Sequence, residues 1–151
     1  HGFTYNMMGL QAAHGIHQLP RAGRYWERRR AIWDRYMEAF ASLPVGLPAP
    51  VAPDTRHAFH LFTLRVNRER CGLSRDEALT ALHKRNIGSG VHYLAIPEHP
   101  FYQRTFGWRP EDTPNATAYG RETLSLPLSP KLSDRDVADV IEAVTDIFAR
   151  A

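Results

Sequence analysis

The 151 residues are enough for one domain with a single buried core, and 43% hydrophobic against 23% charged residues excludes a disordered chain. No apolar run reaches the roughly 18 residues that a membrane-spanning helix needs. The formal net charge of +3 comes mostly from arginine, with Lys84 and Lys131 the only lysines, and so small an excess reads as a solvated surface.

Taken in chain order, residues 7–43 read as a helical segment broken once. Its opening stretch, Met8-Gly-Leu-Gln-Ala-Ala-His-Gly-Ile-His-Gln-Leu19, is rich in small residues that allow close approach of a neighbour. Pro20 suits the first turn of a second helix, where a missing N–H costs nothing. In that helix Trp26, Trp33, Met37 and Phe40 recur at helical spacing and form one apolar face, while Arg28, Arg29, Arg30 and Arg35 cover much of the rest. Four prolines between Leu43 and Pro53 then impose an extended connector.

Residues 57–66 are aromatic and β-branched and predict a strand, with His60, Phe62, Leu64 and Val66 on one face. Its other face, Phe59, Leu61, Thr63 and Arg65, also starts apolar, as cover on two sides would require. Ser74 and Glu77 form a capping-box pattern for a helix burying Ala78, Leu79 and Leu82, which Asn86-Ile-Gly88 stops. Residues 88–93 predict a short strand whose glycines let backbone or ligand come close. A brief helix over 99–104, a helix over 114–121 and a strand over 123–126 stopped by Pro127 follow. Ser133 and Asp136 cap a last helix with Val137, Val140, Ile141, Val144, Ile147 and Phe148 as its apolar stripe. Strand and helix alternating three times predicts an α/β fold, a small sheet packed with helices, with the leading helical segment outside that unit.

Few residues suggest chemistry by spacing alone. The eight histidines include pairs such as His14/His17 and His57/His60, but no acidic or thiol partners accompany them, so a zinc site is not expected. No Gly-x-Ser-x-Gly elbow and no Gly-x-x-x-x-Gly-Lys loop occur. Cys71 stands alone just before a capped helix; it can form no internal disulfide, which fits a reducing cytosol, and it reads as structural rather than reactive. The run Arg28-Arg-Arg30 reads as a helix face, so neither a nucleic-acid nor a membrane partner is expected. No secretory signal is visible at the start of the chain.

Gly2-Phe-Thr-Tyr-Asn-Met7 followed by Leu10-Gln-Ala-Ala13 resembles a signature of the DegT/DnrJ/EryC1/StrS sugar aminotransferases. The similarity continues through Arg28-Arg-Arg30, His57-Ala-Phe-His-Leu-Phe62, Arg70-Cys-Gly-Leu-Ser-Arg75, Ile87-Gly-Ser-Gly-Val-His-Tyr93, Leu124-Ser-Leu-Pro-Leu128 and Leu132-Ser-Asp134, and so spans essentially the whole chain. Residues 57–93 look most like members that aminate a UDP-linked 4-keto pentose for lipid A modification. Met8-Gly9 departs from the Ser/Thr-Asp/Glu pair usual after the Tyr-Asn-Met motif.

The resemblance implies the C-terminal part of a fold-type I enzyme using pyridoxal 5'-phosphate. Residues 1–43 would be a helical junction leading from a large cofactor-binding domain, and residues 44–151 a small α/β domain that closes over the site. It implies amino transfer, from glutamate, to a nucleotide-linked keto sugar in surface polysaccharide or lipid A biosynthesis, by a cytoplasmic homodimer. The lysine that holds the cofactor and shuttles the proton would lie outside this chain. Lys84 and Lys131 lack its surroundings, so no catalytic residue is expected here and the chain alone should be inactive.

Two residues match functional positions of the family. Asn6 aligns with an asparagine that reaches across the dimer to the partner's cofactor phosphate; a helix N-cap is its other reading. His92 aligns with a histidine near the nucleotide-sugar pocket, its other reading being a strand histidine bonded to a neighbouring loop. A non-catalytic dimerisation or nucleotide-sugar-binding module is the alternative for the whole chain.

Overall fold

A computed structural model describes residues 6–149, so Gly2–Tyr5 of the opening motif lie outside the described residues. Two helices lead. In α1 (Gly9–Gln18) the N-cap is Met8, whose N–H donates to Gln11 Oε1 at 3.1 Å, and no residue of the helix is buried. A 3₁₀ turn at Leu19–Arg21 carries Pro20 and runs directly into α2 (Ala22–Ala39). This helix buries Ile32, Trp33 and Tyr36, with Phe40 following its end, while Trp26 and Met37 pack on the rim. The expectation that the leading segment stays outside the sheet-and-helix unit therefore fails for α2, which supplies a wall of the core; the segment divides at Pro20.

After the proline-rich connector come β1 (Phe62–Arg65), a one-turn helix α3 (Arg68–Cys71) and α4 (Arg75–Lys84). Further along lie α5 (Pro100–Phe106), α6 (Pro114–Glu122), β2 (Thr123–Leu126) and α7 (Asp134–Phe148). The capping boxes foreseen for α4 and α7 are formed: Ser74 Oγ accepts from Glu77 N–H, Ser133 Oγ from Asp136 N–H, and each carboxylate reaches back to the cap's N–H at 2.7 Å. The short helix α3 has no counterpart among the predicted elements. Asn67 caps it by accepting from the N–H groups of Glu69 and Arg70, and Gly72, at φ +68°, closes it.

The sheet is smaller than three strands. β1 and β2 pair antiparallel in the register Phe62↔Leu126, Thr63↔Ser125, Leu64↔Leu124 and Arg65↔Thr123. Gly46 adds a single bridge to the outer edge of β1 at Arg65, and Gly90 adds one to the outer edge of β2 at Ser125. Residues 88–93 thus contribute one bridge and no strand. The next bonded pair along that edge would match Gly88 to Pro127, and proline has no N–H to give. β1 is also shorter than the predicted 57–66, because Phe59 turns into the left-handed region at φ +48° and ends the extended run. Cover lies on one face of β1, where Phe62, Leu64 and Val66 are buried, rather than on both.

Phe62 is the centre of the core. Its ring meets Trp33 edge-on at 4.9 Å and Tyr36 at 5.1 Å, with Phe40 at 6.2 Å. The Tyr36 hydroxyl donates to the Pro127 carbonyl at 3.0 Å, and burial pushes its ionisation far above the ordinary tyrosine range. Cys71 is fully buried and its Sγ lies 2.9 Å from the Pro44 carbonyl; burial raises its thiol pKa, as a structural cysteine requires. The arginine face of α2 is not wholly solvated. Arg28 and Arg35 both reach Asp134 Oδ1, at 2.8 and 3.3 Å, and Arg28 also donates to the Leu132 carbonyl, so they hold the start of α7.

Where α6 passes directly into β2, Glu122 joins three elements. Its carboxylate accepts from Asn67 Nδ2 at 2.9 Å and from Arg65 at 2.6 Å. The Asn67 hydrogen bond, and then Arg65, hold its pKa below the usual glutamate value against the opposing effect of desolvation. A depressed folded-state pKa adds stability that is present above the unfolded pKa and is lost as pH falls through the folded one. Glu122→Gln is therefore expected to destabilise at neutral pH and to make stability fall less steeply on acidification. Urea unfolding midpoints from pH 7 to about pH 3 check this; parallel curves for the two proteins would refute it.

Candidate functional site

The segment Gly90–Ala95 is fixed from two sides. On one side Gly90 and Ser125 exchange both backbone hydrogen bonds, at 3.2 and 2.8 Å. His92 Nδ1 then lies 2.9 Å from Ser125 Oγ, and its ring stands edge-on to Tyr93 with centroids 4.9 Å apart. On the other side Gly120 of α6 allows backbone contact: a Cβ there would sit 2.8 Å from Ala95 N and 3.0 Å from Tyr93 O. Upstream, the last turn of α4 steadies the approach, with His83 Nε2 3.2 Å from the Ser89 carbonyl oxygen.

An open cleft of about 610 Å³ lies beside this segment, lined by Arg75, Val91, Tyr93, Leu94, Ile96 and His99. Its walls are largely apolar, and Tyr93 is 74% exposed. Arg75 is its buried cation. The guanidinium Nη1 donates to the carbonyls of Gly120 and Thr123, each at 3.1 Å, and Nε pairs with Asp76. The arginine thus ties α4 to the α6–β2 junction, with Asp76 as its counter-charge. A larger hollow of about 650 Å³ between residues 85–88 and α7 carries Asp136, Asp139, Glu142 and Asp146. Arg85 lines the same hollow, but its carboxylates outnumber its cations and disfavour an anionic ligand there.

The two residues singled out from the sequence are not brought together. Asn6 is exposed ahead of α1, and among the described residues it makes no side-chain hydrogen bond. The cap of that helix is Met8, so the N-cap reading of Asn6 does not hold. His92 is half-buried and turned onto Ser125 of β2; it bonds to a strand, not a loop, and its neighbours Val91 and Tyr93 line the cleft. Lys84 and Lys131 are both exposed, with no enclosure such as a covalently held cofactor needs. Among the described residues no cluster of three His, Cys, Asp or Glu is placed to hold a metal. His57 Nδ1 instead accepts the Phe59 N–H at 3.1 Å. No helix among those residues is long and apolar enough to cross a membrane.

Sequence reasoning missed Ser125, Gly120 and Arg75. A serine inside Leu124-Ser-Leu126 was the available signal, since a polar side chain in an apolar strand implies a partner.

The DegT/DnrJ/EryC1/StrS aminotransferase family matches this chain over residues 1–145, and the chain belongs to that family. The spore coat polysaccharide biosynthesis protein SpsC of Bacillus subtilis (strain 168) is 49% identical over 152 aligned positions, covering 99% of this chain and 39% of SpsC. The PLP form of Spr1654 from Streptococcus pneumoniae, assigned as a sugar aminotransferase, superposes with a TM-score of 0.86 at 31% identity over 96% of this chain and 36% of its own. Helicobacter pylori PseC, an aminotransferase of pseudoaminic acid biosynthesis, shares the fold with a TM-score of 0.85 at 24% identity, over 99% of this chain and 40% of its own. The chain spans about two-fifths of the curated relatives it matches.

Gly120→Ala is expected to destabilise by about 1–3 kcal/mol, because the new methyl meets backbone rather than a yielding side chain. Amide shifts should move most at residues 93–95. An unchanged melting temperature with unmoved 93–95 amides would show that the contact is slack.

Proposed function

We propose that this chain is the C-terminal small domain of a pyridoxal-phosphate-dependent nucleotide-sugar aminotransferase, and that it is inactive without the rest of the enzyme. The enzyme would move an amino group from glutamate to a nucleotide-linked keto sugar for surface polysaccharide or lipid A biosynthesis, as a cytoplasmic homodimer. The carrying observation is a family match over 145 residues combined with a superposition that covers nearly all of this chain and only 36% of Spr1654. Pyridoxal phosphate, when bound, supplies the electron sink for amino exchange. The residues here fit a supporting part. Asn6, exposed and without a partner among the described residues, offers an amide N–H to the cofactor phosphate of the partner subunit.

His92, beside a largely apolar cleft lined also by Arg75 and Tyr93, belongs on the nucleotide-sugar side. In this reading the segment ahead of α2 is the junction, and α2 with residues 44–151 makes the closing domain. The apolar side chains that α1 and its approach leave uncovered, Met7 at 70%, Met8 at 63%, Leu10 at 79% and Ile16 at 70% exposure, suit a surface that the large domain or the second subunit covers. A two-fold axis makes the Asn6 contact reciprocal, with one interface completing two sites.

Two experiments test this. The chain alone, incubated with pyridoxal phosphate and reduced with borohydride, should show no stoichiometric adduct at Lys84 or Lys131; such an adduct accompanied by amino transfer overturns the reading. In the full-length enzyme Asn6→Ala should weaken cofactor binding about ten- to hundredfold, the cost of one hydrogen bond to a charged phosphate. Unchanged cofactor affinity would remove Asn6 from the site.

A further inference from the structure

Ser125 is 4% exposed, and its backbone is committed to Gly90. A buried hydroxyl needs an acceptor for its proton, and the group within reach of Ser125 Oγ is His92 Nδ1 at 2.9 Å. Were Nδ1–H to donate instead, the serine proton would be left buried and unpaired, at a cost that the opposite arrangement avoids. Gly90 completes the seat. A Cβ at Gly90 would come within 3.2 Å of His92 Cε1, so the ring lies against the glycine and would have to shift by a few tenths of an ångström for a side chain there.

We propose that Ser125 is the positioning residue for His92. Its hydroxyl donates to Nδ1, holds the ring over Gly90 and fixes the tautomer that carries the proton on Nε2. That nitrogen, which has no hydrogen-bond partner among the described residues, becomes an oriented donor for an oxygen of the nucleotide-sugar substrate. The functional half of this inference rests on the reading of His92 given above; the geometric half does not. The Gly90 bridge uses only backbone atoms of residue 125, so Ser125→Ala leaves the pairing of β2 in place.

The test is NMR on the histidine-labelled chain. The wild type should show a cross-relaxation peak between His92 Hε1 and the Gly90 α-protons, and an acceptor-type Nδ1 shift. Ser125→Ala should lose both while the Gly90 and Ser125 amides keep their exchange protection. Ser125→Thr, which retains a hydroxyl, should restore them. Gly90→Ala should also displace the ring with the serine intact, and it stands in if the threonine variant does not fold. A ring peak and Nδ1 shift unaltered in Ser125→Ala overturn the proposal. In the full-length enzyme Ser125→Ala should raise KM for the nucleotide sugar about three- to tenfold with kcat within about twofold, and add little to His92→Ala. If the ring moves but neither variant alters KM, the positioning by Ser125 stands and the substrate contact of His92 falls.

Discussion

Four residues with no exposed side chain govern the arrangement around His92. Thr123, Leu124, Ser125 and Leu126 are each 4% exposed or less, so every polar backbone group of β2 must find a partner inside the protein. Successive residues of a strand point their N–H and C=O to opposite edges, and β2 uses both. Leu124 and Leu126 face β1, while Ser125 faces Gly90. Because β1 is fixed by Phe62 in the aromatic core, the strand carries that rigidity across to the Gly90 segment. Without β2 the residues 90–95 would be a surface loop.

Glycine does on the far side what hydrogen bonds do on the near side. The absence of a side chain at Gly120 lets the backbone of Tyr93–Ala95 rest on α6, and the absence of one at Gly90 makes space for the His92 ring. Arg75 closes the arrangement, since its guanidinium bridges the carbonyls at which α6 ends and β2 begins. The same guanidinium pairs through Nε with the exposed carboxylate of Asp76, so its buried charge is met by one carboxylate and two carbonyl oxygens.

What could be read from the sequence follows from how local the signals are. The caps at Ser74 and Ser133, the stop at Pro127 and the stripe of α7 each depend on residues within one or two turns, and each is seen in the structure. The length of β1 and the absence of a strand at 88–93 depend on partners far along the chain: Phe59 folding under Trp33, with ring centroids at 5.3 Å, and Pro127 facing the edge where Gly88 would pair. The arginines of α2 looked like a solvated face because their partner, Asp134, is about a hundred residues away. Of the site, His92 was found through family resemblance, whereas Ser125 and Gly120 act through three-dimensional juxtaposition that spacing does not encode.

The leading segment illustrates how one helix can serve two masters. α2 is clamped at its middle by Arg28 and Arg35 on the start of α7, and by Trp33 and Tyr36 in the core. α1 has no such attachment, yet its backbone continues into α2 without a free joint: Leu19 N–H donates to Gly15 O, and Ala22 N–H to Leu19 O. A hydrogen-bonded turn of this kind transmits orientation, so the direction of α1, and with it the place to which Asn6 is carried, is set by the core some distance away. Among the described residues the helix is therefore held from one end only. Its apolar side chains Leu10 and Ile16 stay exposed, so the core of this chain positions α1 through the turn and not by packing against it.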